Sequence, residues 1–288
     1  MPKNTKTTIS LRRRIVNSVA LGAIVLATAI VIVPLFLIMG TVTYHGIAGL
    51  NWAFFTQMPK PPGESGGGMA NALVGSGMIL LVASAIGIPL GIGTGIFLAE
   101  FGRNMYGNVV RFTADVLNGV PSIVIGLTAW ALVVVSQKHF SAVSGGIALG
   151  IMMIPTVSRT TEEVLLMVPQ SVREAALGLG IPYWRTTLSV VVRTAMSGIV
   201  TGIMLAFARI AGESAPLMFT AFGNQFWNTN LKEPTAAVPL QIYVYAISPF
   251  DDWHRLAWTG AFVLITLIAG AMILFRTVTS RGVMRGTT

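Results

Sequence analysis

The sequence predicts an all-α integral membrane protein with six transmembrane helices. Three observations lead there. Of 288 residues, 53% are apolar and only 10% charged, whereas a soluble domain carries about 25% charged residues. Six apolar runs, at about 16–40, 71–99, 112–136, 143–161, 187–213 and 257–277, each approach the ~20 residues a helix needs to cross a bilayer. The basic residues are sorted by these runs. Fourteen, from Lys3 to Arg285, fall on one side, against Lys60, Lys138, Lys232 and Arg255 on the other. Basic loops stay in the cytoplasm, so both termini are expected there. The net charge of +9 follows from that sorting. No aromatic-interleaved basic patch calls for nucleic acid.

The elements follow in order. Residues 1–15 read as a basic cytoplasmic tail. The first run, 16–40, resembles a signal peptide, with Ala27-Thr28-Ala29 in the manner of a cleavage site. Its apolar stretch continues to Met39, so it reads as an uncleaved anchor. Residues 41–70 form an outer loop whose Trp52, Phe54 and Phe55 are expected at the membrane interface. Residues 71–277 read as a five-helix core. Gly87, Gly91 and Gly95, then Gly146 and Gly150, then Gly198 and Gly202 recur at four-residue spacing, which lets helices approach closely in lipid. Pro89, Pro121 and Pro155 are expected to kink or unwind their spans. The outer segment 214–256 is too polar at Gly223–Pro234 to be a span. Its Phe219, Phe222, Phe226 and Trp227 indicate that it re-enters or lies against the outer surface. Residues 278–288 form a second cytoplasmic tail. Cysteine is absent, so no disulfide forms.

Between the fourth and fifth spans lies a cytoplasmic segment, 162–185. In it Ser171 and Glu174 make an S-x-x-E pair, predicting a capped helix start. Val172, Ala175, Ala176 and Leu179 then recur at helical spacing on one face. Gly178, Gly180 and Pro182 end the helix. A capped connector on the membrane surface fits this pattern, as does a docking helix.

The chain lacks the chemistry of an ATPase. No Gly-Lys pair occurs, so there is no phosphate loop. No H-E-x-x-H, no G-x-S-x-G elbow and no cluster of metal ligands is present. Any active transport draws its energy from another subunit.

Charges inside the spans are the candidate functional residues. An arginine deep in a span costs ~2.5–3.5 kcal/mol on insertion scales. Arg209 is such a residue, and Glu213 follows it by one helical turn. Either the two neutralise each other or Arg209 meets a passing anion. Arg159 ends the fourth span, where it either lines the same path or snorkels to the interface. The arginine fork holds an oxyanion from two sides. Asp115 follows Arg111 by four residues and is expected to pair with it. Asn118 and Ser122 flank the Gly119-Val120-Pro121 break and either line a path or satisfy helix hydrogen bonds.

Several segments together resemble the PstA-type phosphate permease family. These are Asp115–Gly126, Arg159-Thr160-Thr161-Glu162, Glu174-Ala175-Ala176 with its following glycines, Ala208–Leu217, Asn224–Trp227 and Ser248–Phe250. The resemblance runs from about residue 70 to the C-terminus. Glu-Ala-Ala followed by glycine resembles the coupling loop of ABC importer permeases generally, and the motif glycine falls on Gly180. The Gly212-Glu213-Ser214-Ala215-Pro216 stretch is more specific, with Ser214 where the family usually has threonine. The resemblance implies a type I ABC importer permease core in the cytoplasmic (inner) membrane. It implies a PstC-type sister permease, a PstB-type ATPase dimer and a PstS-type phosphate-binding protein as partners. ATP and Mg reside on the ATPase, and this chain holds no cofactor. Arg209, Arg159 and Glu213 would lie on the phosphate path. Arg173, Glu174, Ala175, Ala176, Gly178 and Gly180 would couple it to the ATPase. The alternatives are a permease for sulfate, molybdate or phosphonate, and a passive anion channel, which needs no docking helix. A membrane enzyme acting on lipid lacks its acid, base or metal cluster.

Overall fold

The structure, a computed structural model, describes residues 11–64 and 66–284, with side chains described as far as Thr277. Lys3, Lys6 and Arg285 of the two basic tails lie outside the described residues. The helices are α1 (Leu11–Ala48), α2 (Trp52–Thr56), α3 (Ala70–Phe101) and α4 (Met105–Gly119). Next come α5 (Ser122–Gln137), α6 (Ala142–Leu166), α7 (Gln170–Gly178) and α8 (Tyr183–Ala211). The chain finishes with α9 (Ala215–Thr220), α10 (Val238–Ala246) and α11 (Asp251–Met284). Five helices are long and apolar enough to cross a membrane: α1, α3, α6, α8 and α11. The sixth crossing is the pair α4 and α5, bent by 106° at Val120-Pro121. The third predicted span, 112–136, is therefore two helices. Pro121 removes a donor and fixes φ at −56° as the N-cap of α5. Pro89 and Pro155 sit inside unbroken helices. Neighbouring helices tolerate proline in a membrane span, and here Pro155 is buried.

The centre of the bundle is the pair α3 and α6, which run parallel and touch along their length. A Cβ on Gly87, Gly91 or Gly95 would lie 2.8, 2.6 or 2.5 Å from Met153, Val157 or Thr161. The glycine series thus marks the line of contact. α8 packs antiparallel on α6, with Gly202 against Thr160 and Gly198 against Val164. Around this seam Ile79, Ile125, Leu149, Met153, Val157, Ile210 and Leu217 form the central core.

Two further clusters close the ends. At the end carrying α7, the base, Leu165, Val168, Val191, Ala195 and Ile199 pack together. At the opposite end, the top, Phe54, Met69, Tyr245 and Val263 do so. Phe54, expected at the interface, is fully buried there in the cluster with Met69 and Tyr245, and its amide donates to the Asn51 cap of α2 at 2.8 Å. α1 is exposed over most of its length and meets α11 only near the top, through Gly46 against Phe262. Such an apolar, unpacked helix is suited to lipid. The outer segment contains α9 and α10, neither of them predicted. The polar stretch before α10 folds on itself: Asn224 and Asn228 both donate to the Pro234 carbonyl, at 3.1 and 3.2 Å.

Candidate functional site: a broken helix at one end, a braced base at the other

α8 does not reach the top surface. It stops at Ala211, and Gly212–Ser214 carry the chain into the short helix α9. Ile210 and Leu149 line one void with Ile79 and Leu217. Leu149 is two turns into α6, so the break lies about 10 Å below the top end of that helix. α9 then climbs to the top, where the Thr220 carbonyl accepts from the Ser141 amide at 3.1 Å. Pro216 packs on α5 so closely that a Cβ on Gly126 would sit 2.7 Å from its Cα. Non-helical backbone at membrane depth is tolerated where it is buried or lines a cavity, and helices broken at depth form substrate sites in transporters.

Arg209 is in the last turn of α8, not at a span centre. It still lies at depth, because the helix ends early. Its side chain is exposed, and among the described residues it makes no hydrogen bond and no ion pair within 4.0 Å. Glu213, half-buried in the break, does not pair with it. Mutual neutralisation is therefore absent. Below Arg209, Leu205, Thr201, Ser197 and Arg193 are exposed, with Met196 and Thr194 exposed beside them. The four-residue spacing of the first four makes one stripe. Ser197 and Thr201 were missed in the sequence, although that spacing was visible.

Nearer the base, four charged side chains zip α4 to α6. Arg111 Nε donates to Glu162 Oε1 at 2.6 Å, Arg159 Nη1 to Glu162 Oε2 at 3.1 Å, and Arg159 Nε lies 3.3 Å from Asp115 Oδ1. The expected Arg111–Asp115 pair does not form. Glu162, with its side chain 3% exposed, takes Arg111, since a buried carboxylate needs a partner more than an exposed one. Arg159 is held by two carboxylates and does not snorkel freely. Asn118 accepts from Thr156 at 3.2 Å on the same seam. Ser122 opens α5 beyond the break, half-buried. Arg159 and Arg209 are not brought together. Arg209 is seven residues beyond Gly202, which faces Thr160, so about 10 Å of helix rise separates them.

At the base, α7 begins at Gln170 behind Pro169, not at a Ser171 cap. Pro169, with φ −57° and ψ 140°, presets the helix entry, and no side chain caps it. The helix ends in a Schellman turn. Gly180 has φ +77°, its amide donates to Leu177 O, and Ile181 donates to Ala176 O. The predicted apolar face divides: Val172 and Ala176 turn into the bundle, while Ala175 and Leu179 face out. Leu179 is 80% exposed, and Met167 and Trp184 on either side of α7 in the chain are exposed as well. Glu174 and Gly178 are also on the open side. Arg173 points inward. It pairs with Glu100 at the end of α3 and donates to the Leu165 carbonyl at 2.8 Å. Tyr183 donates to the other Glu100 oxygen at 2.6 Å.

Residues 91–282 match the family model of binding-protein-dependent transport system inner membrane components. The phosphate transport system permease protein PstA of Yersinia pestis is 49% identical over 250 residues, covering 85% of this chain and 84% of that protein. PstA of Haemophilus influenzae is 44% identical over 274 residues, covering 94% and 96%. This chain belongs to the PstA permease family. The matched span takes in α7, the broken helix, Arg159 and Arg209. Of the solved structures, the inward-facing MetNI methionine ABC transporter superposes with a TM-score of 0.57 at 17% identity. The match covers 76% of this chain and 98% of that one. At that identity the fold alone is shared, and it is the type I importer permease fold. As a PstA-family protein the chain is a multi-pass membrane protein.

Proposed function

We propose that this chain is the permease subunit of an ATP-driven importer that carries inorganic phosphate into the cytoplasm. The base carries α7 and faces the cytoplasm, and the top faces a PstS-type binding protein. A PstC-type sister permease completes the path, and a PstB-type ATPase dimer supplies the energy from ATP and Mg. The observation that carries this reading is Arg209. It stands at a helix break within the membrane with no internal partner, which leaves its donor fork open to a desolvated oxyanion. The relatives named above are phosphate permeases, which favours phosphate over sulfate, molybdate or phosphonate. The exposed Ala175–Leu179 surface of α7 supports docking to the ATPase, and a passive channel has no use for such a surface. Ser214 keeps the hydroxyl of the usual threonine, so no change of substrate is expected. Glu174, Ala175, Ala176, Gly178 and Gly180 shape the coupling segment, and Arg173 holds it from within.

The test is chemical cross-linking in the assembled complex. Leu179→Cys in this cysteine-free chain should cross-link to a cysteine in the cleft of the ATPase and to no other subunit. Cross-linking to the sister permease alone would remove the coupling assignment.

A further inference from the structure

The base of the bundle is braced by two arginines used in the same way. Arg111 comes from α4, donates to the terminal carbonyls Leu98 O and Gly102 O of α3 at 3.0 and 2.8 Å, and pairs with Glu162 of α6. Arg173 comes from α7, donates to the terminal carbonyl Leu165 O of α6, and pairs with Glu100 of α3. Each arginine thus caps one of the parallel helices and is neutralised by a carboxylate on the other. Side chains that bond the last carbonyls of a helix also complement its dipole. Each carboxylate also holds a second partner: Arg159 on Glu162 in the first brace, and a tyrosine in the second. Glu100, with its side chain 1% exposed, receives Arg173 on Oε1 and the Tyr183 hydroxyl on Oε2. The Tyr183 ring also packs edge-on against Phe101. Tyr183 is the first residue of α8, the helix whose last turn carries Arg209.

We propose that Glu100 is the positioning residue through which displacement of α7 reaches the transport helices. Its two oxygens tie α7 on one side and the start of α8 on the other to the rigid α3–α6 pair. Arg173 belongs to this joint, and its contacts are within the chain. The inference rests on the reading of α7 as the ATPase-coupling helix. Its physical basis is that a buried carboxylate with two charge-assisted partners has one low-energy arrangement. A push on α7 is therefore passed on and not absorbed by side-chain slack. The joint can be loosened without changing any surface offered to the ATPase, since Glu100 is covered.

The experiment uses the complete complex in proteoliposomes and reads labelled phosphate taken up per ATP hydrolysed, normalised to assembled protein. Glu100→Gln should lower that ratio at least tenfold. Tyr183→Phe keeps the ring against Phe101 and removes one bond, and it should lower the ratio two- to fivefold. A purely structural role would reduce assembled complex and leave the ratio of the remainder alone. A ratio within twofold of wild type in assembled Glu100→Gln overturns the proposal. If that variant does not assemble, Tyr183→Phe decides in the same way, an unchanged ratio overturning it. The Leu179→Cys cross-link separates the two levels. Its absence in the otherwise wild-type complex sinks the coupling reading, whereas its presence with unchanged ratios sinks only the Glu100 joint.

Discussion

Arg209, in the last turn of α8, has no internal partner among the described residues, whereas Arg111, Arg159 and Arg173 are each held by a carboxylate. That difference predicts opposite behaviour on mutation. Arg209→Gln leaves no buried partner behind, so the complex should assemble normally while phosphate uptake is lost. Arg209→Lys restores the charge without the planar fork and should recover part of the uptake. Glu162→Gln strips the carboxylate from two arginines at once. Breaking a buried pair typically costs ~3–5 kcal/mol, so the yield of assembled complex should fall before any transport is measured. Uptake normalised to assembled complex, read for all three variants, separates these outcomes. Arg209 was legible in the sequence because a charge inside an apolar run stands out by itself. The partner of Asp115 was not. The four-residue rule sees only its own helix, and the winning contact is made across the α4–α6 seam. Glu100 and Tyr183 are 83 residues apart, and nothing local links them.

The helix ends and helix contacts give tests of their own. Gly180 at φ +77° closes the Schellman turn after α7, and a Cβ there would meet no atom of this chain. Its cost is therefore conformational, about 1–2 kcal/mol for a left-handed L-residue. Gly180→Ala should loosen the end of α7 and reduce coupling. Gly178→Ala lies in the helix with open space around it, and it should be neutral unless the ATPase cleft occupies that space. Uptake per ATP hydrolysed in the two variants distinguishes turn from cleft. On α3, Gly91→Ala places a Cβ 2.6 Å from Val157, while Gly93→Ala meets nothing. Overpacking typically costs ~1–3 kcal/mol, so Gly91→Ala alone should lower the unfolding midpoint in detergent. The spans and the glycine seams were readable because hydropathy and four-residue spacing are local patterns. The Ser171 cap was misread because Pro169 had already set the helix start. The end of the fifth span, read at 213, falls within two residues of the break after Ala211; the depth of that break was not legible, because depth is set by what α9 packs on.

At the scale of the molecule, the helices cross in alternating directions. This places α7 and the start of α1 at one end and the Asn224–Pro234 turn at the other. The sorting of basic residues predicts that the α7 end faces the cytoplasm. Cysteines at Ser171 and Asn228 should be labelled by an impermeant thiol reagent from opposite sides in intact cells, 228 from outside and 171 only after permeabilisation. Label at 171 from outside would invert the topology. We propose that this bundle, with its sister permease, ATPase and binding protein, moves phosphate at the expense of ATP. The direct measurement is uptake of labelled phosphate into proteoliposomes holding all four components. Uptake should require ATP and be suppressed by excess unlabelled phosphate but not by sulfate. Uptake of equal size without ATP, or suppression by sulfate as strong as by phosphate, would contradict the proposal.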